Sequence, residues 1–146
     1  MTFTEKRMRL CVGLLICNLI FIWGNSLLPG EISGKLSDIP EMVLEALLPQ
    51  LDMTAEAGGI PLRKIAHFTE FTALGVLLSW LYAMLQKGKH YPLISGVAAA
   101  CLDETIQMFV PDRGPSILDV LIDSSGVITG MLLLMLGYSR YRKRNL

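Results

Sequence analysis

The sequence predicts an all-α membrane protein, a bundle of four transmembrane helices with a short amphipathic helix in the first external loop. Three observations support this fold class. Of the 146 residues, 52% are hydrophobic and only 18% are charged, and the mean hydropathy is +0.49. The apolar residues form long blocks, whereas a soluble core shows short alternating patterns. Proline, glycine and charged residues separate these blocks from one another.

The first apolar block runs from Arg9 to Leu28 and follows Lys6 and Arg7. It has about the 20 residues that a helix needs to cross a hydrocarbon layer ~30 Å thick. A cleaved signal peptide is the competing interpretation of such an N-terminal block. The block is long for a signal peptide, however, and no small-x-small cleavage site lies near "WGNSLLPG". The sequence therefore predicts an uncleaved span.

Three further blocks have the length and composition of membrane spans. They run from Leu62 to Leu85, from Tyr91 to Val110 and from Ile117 to Tyr138. The segments "GGIP", "QKGKHYP", "PDRGP" and "GYSRYRKRNL" bound them, and such segments are typical of helix ends and loops. Because no internal repeat or second domain is evident, residues 1–146 are predicted to form a single domain.

The loop between the first two spans contains the segment "SDIPEMVLEALLP". Ser37 suits the N-cap of a helix and Pro40 suits its first turn. Apolar residues follow at helical spacing: Ile39, Met42, Val43, Ala46 and Leu47. The segment predicts a short amphipathic helix on the outer surface, and either resting there or covering a site is consistent with its pattern.

The basic residues predict the direction of the spans. If four spans alternate, nine of the thirteen basic residues fall on one side: Lys6, Arg7, Arg9, Lys87, Lys89, Arg140, Arg142, Lys143 and Arg144. Since cytoplasmic loops carry an excess of lysine and arginine, both termini are predicted to be cytoplasmic. The balance of 13 basic and 13 acidic residues argues against nucleic-acid binding. The predicted partner is the lipid bilayer, and the oligomeric state stays open.

Polar residues gather near the outer ends of all four predicted spans. They are Asn25 and Ser26, then Arg63, Lys64, His67 and Glu70, then Asp103, Glu104 and Gln107, with Arg113 in the following turn, and finally Asp119 and Asp123. A charged side chain deep in a span costs about 2.5 to 3.5 kcal/mol, so these groups must face one another or water. The sequence predicts an outward-facing polar pocket, with Ser124, Ser125, Gly126 and Gly130 as its floor.

A charge count describes this polar layer. The positive residues are Arg63, Lys64 and Arg113, and the negative ones are Glu70, Asp103, Glu104, Asp119 and Asp123, a formal charge of −2. A protonated carboxyl group, a protonated His67 or a bound cation would each relieve the excess. His67, Glu70, Glu104 and Asp123 are residue types that bind metals, but they lack a diagnostic spacing such as H-E-x-x-H. No metal ligand is assigned, and the cofactor, if any, is unknown.

The segments "NSLLPG", "RKIAHFTEFTALG" and "DETIQMFVPDRGPSILDVLIDSSGVITG" resemble the signature segments of the VanZ-like membrane proteins. The resemblance runs from Asn25 to Gly130 and implies a bacterial inner-membrane protein. The founding member of that family is associated with resistance to teicoplanin, a glycopeptide that binds cell-wall precursors. The family's polar motif maps onto Lys64, His67, Glu104, Gln107, Arg113, Asp119 and Asp123. Phe71 stands where a tyrosine is common, and Asp123 stands where an asparagine is common.

Three function classes are compatible with this pocket. In the first, the pocket recognises a cell-envelope component or an amphiphilic glycopeptide and modulates susceptibility to teicoplanin-type antibiotics. The predicted binding residues are Asn25, Ser26, Arg63, Lys64, Glu70, Gln107, Arg113 and Asp123. In the second, the protein is an intramembrane hydrolase or transferase acting on a lipid-linked substrate at the outer leaflet. His67 would be its acid–base group, with Glu104 or Asp119 as partner.

The third class is a small proton-coupled transporter. The inner halves of all four spans are apolar, which disfavours a path across the membrane. The formal charge of −2 disfavours a phosphate-handling enzyme. Recognition therefore ranks first. Structural roles compete at two positions, because His67 could simply hold two helices together and Arg113 could pair with Asp119 to fix a turn.

Overall fold

The computed structural model describes residues 2–29 and 62–144, which form four α-helices. These are α1 (Phe3–Ser26), α2 (Leu62–Met84), α3 (His90–Gln107) and α4 (Ile117–Arg144). The prediction of an all-helical chain is confirmed for the described part. The short helix predicted for residues 37–49 of the first loop lies outside the described residues.

Three of the described helices are long and apolar enough to cross a membrane. The segments that qualify are Thr4–Ser26, Arg63–Met84 and Ile117–Ser139, each of 22 or 23 residues. Helix α3 lies where a span is predicted but does not qualify, since its 18 residues begin with "HYP" and end with "DETIQ", which lower its mean hydropathy. The three qualifying helices indicate a membrane protein. Whether the protein has three or four spans depends on α3.

Large apolar side chains cover the outside of the helices. Ile20 of α1, Ile94 of α3 and Leu121 of α4 are all about three-fifths exposed, at 66%, 61% and 59%. Exposed apolar surface of this extent would be unfavourable in water, whereas hydrocarbon solvates it without cost. The surface therefore matches the membrane class that the composition predicts.

Helices α2 and α4 form the largest interface of the molecule, and glycines of α4 make it close. A Cβ atom on Gly126 would lie 2.6 Å from the backbone oxygen of Phe68, and one on Gly130 would overlap the backbone oxygen of Thr72. Small residues at this spacing let two helix backbones approach in a membrane. These glycines, predicted as the floor of a pocket, instead pack against α2, and Ser125 is exposed on the far side of α4.

Short connections make α3 antiparallel to α2 and to α4, so α2 and α4 run parallel to each other. The turn after α2 has Gln86 in the left-handed region, with φ of 54°, and the Lys87 N–H donates to the Tyr82 carbonyl at 2.9 Å. The Tyr82 hydroxyl and the Ser95 hydroxyl hydrogen-bond at 2.8 Å. As a result, the beginning of α2, the end of α3 and the beginning of α4 lie at the same end of the bundle, where the end of α1 joins them.

Candidate functional site

Each of the four helices contributes a polar side chain to one cluster. Ser26 of α1, Asp103 of α3 and Asp123 of α4 are completely buried, and the side chain of His67 on α2 is 12% exposed. Buried polar groups are tolerated only where they find partners, so the contacts of each group indicate its role. We call these four residues the polar cluster.

Asp103 is the best-connected member of the polar cluster. Its Oδ1 accepts a hydrogen bond from the Ser26 hydroxyl at 2.7 Å, and its Oδ2 accepts one from Gln107 Nε2 at 2.8 Å. The Gln107 carbonyl oxygen in turn accepts from Arg63 Nη2 at 2.7 Å. This chain of contacts ties α1, α2 and α3 together and fixes the orientation of the Asp103 carboxylate.

Two other acidic residues beside the cluster are held by neutral donors. Glu70 Oε1 accepts a hydrogen bond from Asn25 Nδ2 at 3.1 Å. Glu104 Oε2 accepts from the Ser116 backbone N–H at 2.7 Å, just before the first turn of α4. Glu104 therefore fastens the end of α3 to the start of α4, which is a structural contact between consecutive helices.

His67 Nδ1 and the Asp123 carboxylate lie close together. The distance from His67 Nδ1 to Asp123 Oδ1 is 3.7 Å and that to Asp103 Oδ2 is 3.9 Å, both longer than a hydrogen bond. Among the described residues, neither carboxylate oxygen of Asp123 has a hydrogen-bond partner, and the same is true of His67 Nδ1. The acidic residues nearest to His67 are thus Asp103 and Asp123, whereas the sequence pointed to Glu70, Glu104 or Asp119.

A small cavity opens beside His67 and Asp123. Its volume is about 180 Å³, and its lining residues are Arg63, Lys64, His67, Asp119, Ile122 and Asp123. Lys64 Nζ lies 3.9 Å from Asp119 Oδ1 at the more exposed part of the lining. The cavity thus presents two cationic side chains from the first turn of α2 opposite two carboxylates of α4.

Apolar side chains close the cluster on the side of the bundle centre. Phe71 and Leu74 follow His67 on α2, Val127 follows Asp123 on α4, and Ala100 precedes Asp103 on α3, and all four are fully buried. They stand one helical turn or two below the polar residues on the same faces. The polar cluster therefore lies at one end of the bundle, next to a buried apolar layer.

Arg113 lies in the turn between α3 and α4, where the sequence suggested an ion pair with Asp119. Within the described residues, the ion-pair partner of Asp119 is Lys64. The Nε and Nη1 atoms of Arg113 are buried, and neither has a hydrogen-bond partner within the described ranges 2–29 and 62–144. Burial, together with the nearby charge of Arg63, lowers the pKa of the Arg113 guanidinium, which still stays protonated at neutral pH. Arg113 is thus a partly buried cation, with two donor atoms that the described residues leave unpaired.

The structure brings most of the predicted site residues into one region, but several of them contact other partners than the sequence predicts. Asp103 was counted in the charge of the layer and not assigned to the site, yet it is the centre of the hydrogen-bond network. The signal was its spacing to Gln107, since residues at i and i+4 share a helix face. Asn25, Ser26, Glu70 and Glu104 make hydrogen bonds at this end of the bundle but do not line the cavity.

Replacing Ser26 by alanine is expected to destabilise the bundle, because Asp103 Oδ1 would lose its donor in a fully buried position. The free energy of unfolding should fall by about 1 to 3 kcal/mol, as for other buried polar atoms left without a partner. Thermal unfolding of the purified protein in detergent measures the change.

Ser125→Ala is the matched control, since the exposed Ser125 hydroxyl donates only to the Ile122 carbonyl of its own helix. Its effect should stay within about 0.5 kcal/mol. Equal stability of the Ser26→Ala and Ser125→Ala variants would contradict the structural role assigned to Ser26.

Comparison with known proteins gives one match. A family model described as VanZ/LLP1 matches residues 11–138, most of the chain. No curated protein matches the chain, and no solved structure does. The matched range includes the polar cluster, the residues that line the cavity and the glycines of the interface between α2 and α4.

Proposed function

Because the chain belongs to the VanZ/LLP1 family, we propose that it is a multi-pass protein of the bacterial inner membrane, with four spans and both termini in the cytoplasm. The nine basic residues on one side of the predicted spans support this orientation. In this orientation the polar cluster and its cavity lie near the outer face of the membrane.

Helix α3 can be the fourth span despite its polar end. Eighteen residues at 1.5 Å each give about 27 Å, close to the thickness of the hydrocarbon layer. Asp103, Glu104 and Gln107 are all buried against the other helices, so they do not face lipid. A span whose polar residues face its neighbours is permitted in a bilayer, and this arrangement supports a bundle of four.

We further propose that the cavity recognises a polar group of a cell-envelope component or of an amphiphilic glycopeptide, and that the protein thereby modulates susceptibility to teicoplanin-type antibiotics. The observation that carries this proposal is the lining, in which Arg63 and Lys64 stand opposite Asp119 and Asp123. A lining with both signs of charge can hold a ligand group that carries both donors and acceptors.

The size of the cavity limits what can enter it. A volume of about 180 Å³ is below the range of about 300 to 1,000 Å³ typical of pockets for drug-sized ligands. The cavity therefore suits a head group or one edge of a larger molecule, with the remainder lying in the lipid or outside. A lipid-linked envelope precursor, with its head group at the outer leaflet, has this shape.

Three single replacements test the proposal: His67→Ala, Glu104→Gln and Asp119→Asn. Each variant is expressed in a bacterial strain in which the parent chain changes teicoplanin susceptibility, and its abundance in the membrane is measured first. We expect His67→Ala and Asp119→Asn, whose positions line the cavity, to return susceptibility to that of the strain without the protein. Glu104→Gln tests whether the contact to Ser116 is needed to hold α4 in place.

Ser125→Ala serves as a control on the outer face of α4 and should behave like the parent. If all three site variants remain abundant and each keeps the phenotype of the parent, the cavity has no part in recognition and the proposal is wrong.

A second candidate is an intramembrane hydrolase or transferase that acts on a lipid-linked substrate at the outer leaflet. The observation in its favour is that His67 Nδ1 and the Asp123 carboxylate lie 3.7 Å apart beside the cavity and have no hydrogen-bond partner among the described residues, which leaves them able to exchange protons with a substrate. Turnover of a labelled lipid-linked precursor by the purified protein, lost in the His67→Ala variant, would favour this activity. A proton-coupled transporter ranks third, because the apolar side chains of Phe71, Leu74 and Val127 are fully buried directly below the cluster.

A further inference from the structure

Three potential metal ligands converge at the polar cluster, one from each of three helices. One ligand atom each of His67, Asp103 and Asp123 lies within 4.8 Å of the other two. The distances of 3.7 and 3.9 Å from His67 Nδ1 to the two carboxylates are too long for hydrogen bonds. An ion between the three atoms would need only a small inward movement to reach ligand distances of about 2.0 to 2.2 Å.

The same atoms are the ones left without partners. Both oxygens of the fully buried Asp123 and the Nδ1 atom of His67 lack a hydrogen-bond partner among the described residues, and one Asp123 oxygen lies in the cluster 3.7 Å from His67 Nδ1. Burying a carboxylate without a partner costs free energy, so such a group indicates that a further binding partner, such as an ion, occupies that position. Asp103 and Asp123 together carry a formal charge of −2, which one divalent cation would cancel.

The surroundings of Asp103 resemble the support that metal ligands receive in proteins. Its carboxylate is oriented by the Ser26 hydroxyl and the Gln107 amide, and Gln107 is itself held by Arg63. Hydrogen bonds of this kind fix the direction of a ligand and reduce the cost of assembling a site. Two of the three residues, His67 and Asp123, line the cavity, so the group borders open space on their side.

We propose that His67, Asp103 and Asp123 bind one divalent transition-metal ion, with an open coordination position toward the cavity. One imidazole nitrogen and two carboxylate oxygens suit Zn²⁺ or Mn²⁺, since imidazole favours the former and carboxylates also accept the latter. The ion would present a positive charge to the cavity and could bind a phosphate or carboxylate group of a ligand directly. The site lies beside the proposed recognition cavity but does not depend on which molecule that cavity holds.

Metal content of the purified protein tests the site. The full chain, with any affinity tag removed, is stripped with chelator in detergent, incubated with Zn²⁺ or Mn²⁺ alone, desalted and analysed by mass spectrometry for metals. We expect one ion per chain for at least one of the two metals. Two variants, Asp123→Asn and His67→Gln, should each lose most of this metal, because each removes one ligand of three.

Asp112→Asn is the matched control, since Asp112 is an exposed carboxylate in the turn between α3 and α4. It should retain as much metal as the parent. Helix content and elution as a single species show that each variant is folded. If the folded parent retains neither metal, or if Asp123→Asn retains as much as the parent, the metal site is wrong. In either case the susceptibility experiment still tests the proposed recognition function, because its result is read without measuring metal content.

Loading with Co²⁺ gives an independent measurement. Its visible absorption bands report the number and type of ligands, so coordination by nitrogen and oxygen should produce bands that change in His67→Gln and not in Asp112→Asn. Bands identical in all three proteins would show that Co²⁺ binds elsewhere and would contradict the assignment.

Discussion

Replacing Gly130 by leucine is expected to prevent the accumulation of folded protein. A Cβ atom at this position would overlap the backbone oxygen of Thr72 and lie 2.7 Å from the backbone nitrogen of Val76. Backbone atoms of a packed helix are unable to give way as a flexible side chain does, so α2 and α4 would have to separate. We expect a loss of at least about 3 kcal/mol, the upper part of the range for overpacked cores. Membrane abundance and elution in detergent measure the result.

Gly137→Leu is the matched control on the same helix. A Cβ atom built on Gly137 would have no atom of another described helix within 4 Å, and the residue is exposed. This variant should accumulate like the parent, since an apolar side chain there faces lipid or empty space. Normal folding of Gly130→Leu would mean that α2 and α4 do not approach as closely as the structure shows.

The helix boundaries could be predicted closely from the sequence, and the reason is physical. In a bilayer, every backbone polar group must be satisfied within its own helix, so apolar length and breakers determine where helices lie. The predicted block from Leu62 to Leu85 corresponds to α2, which ends at Met84, and the block from Ile117 corresponds to the start of α4. Helix α1 begins earlier than predicted, at Phe3, because Thr2 and Glu5 form a capping box ahead of the basic residues.

The contacts of the polar residues were harder to predict than their depth. Counting 1.5 Å per residue places residues at the same depth, but a shift of one position around a helix rotates a side chain by about 100°. That rotation decides whether His67 meets Glu104 or Asp103. In the structure, Glu104 turns to the Ser116 backbone and Asp103 turns to the cluster, although the two are neighbours in the sequence.

The packing of small residues also required the structure. Gly126 and Gly130 follow the stripe of Asp119 and Asp123 along α4, so a pocket floor was a reasonable expectation. Residues at different positions along this stripe contact different parts of the molecule. Its first part borders the cavity with Asp123, whereas Gly126 and Gly130 lie against the backbone of α2. Close packing below the cluster limits how far α2 and α4 can move apart around it, which helps to keep Asp123 and His67 near each other.

The proposed orientation predicts which introduced cysteines react with a reagent that does not cross the membrane. In a variant with Cys11, Cys17 and Cys101 replaced by alanine, a single cysteine is introduced by Gly114→Cys or by Lys89→Cys. Gly114 is exposed in the turn between α3 and α4, and nothing lies within 4 Å of a Cβ atom built there. Lys89 is exposed in the turn between α2 and α3.

A maleimide that does not cross membranes should label the Gly114→Cys variant in cells whose inner membrane is intact, because that turn lies outside in the proposed orientation. The Lys89→Cys variant should react only after the inner membrane is permeabilised, and the variant without cysteines should not react at all. Asp119→Cys then tests the cavity itself, and we expect labelling from the outside, at a lower rate than for Gly114→Cys because Asp119 is partly buried. Labelling of Lys89→Cys in intact cells, or of Asp119→Cys from the cytoplasm alone, would show that the orientation is the reverse of the proposed one. It would also remove the access from the outer leaflet on which recognition of an envelope component depends.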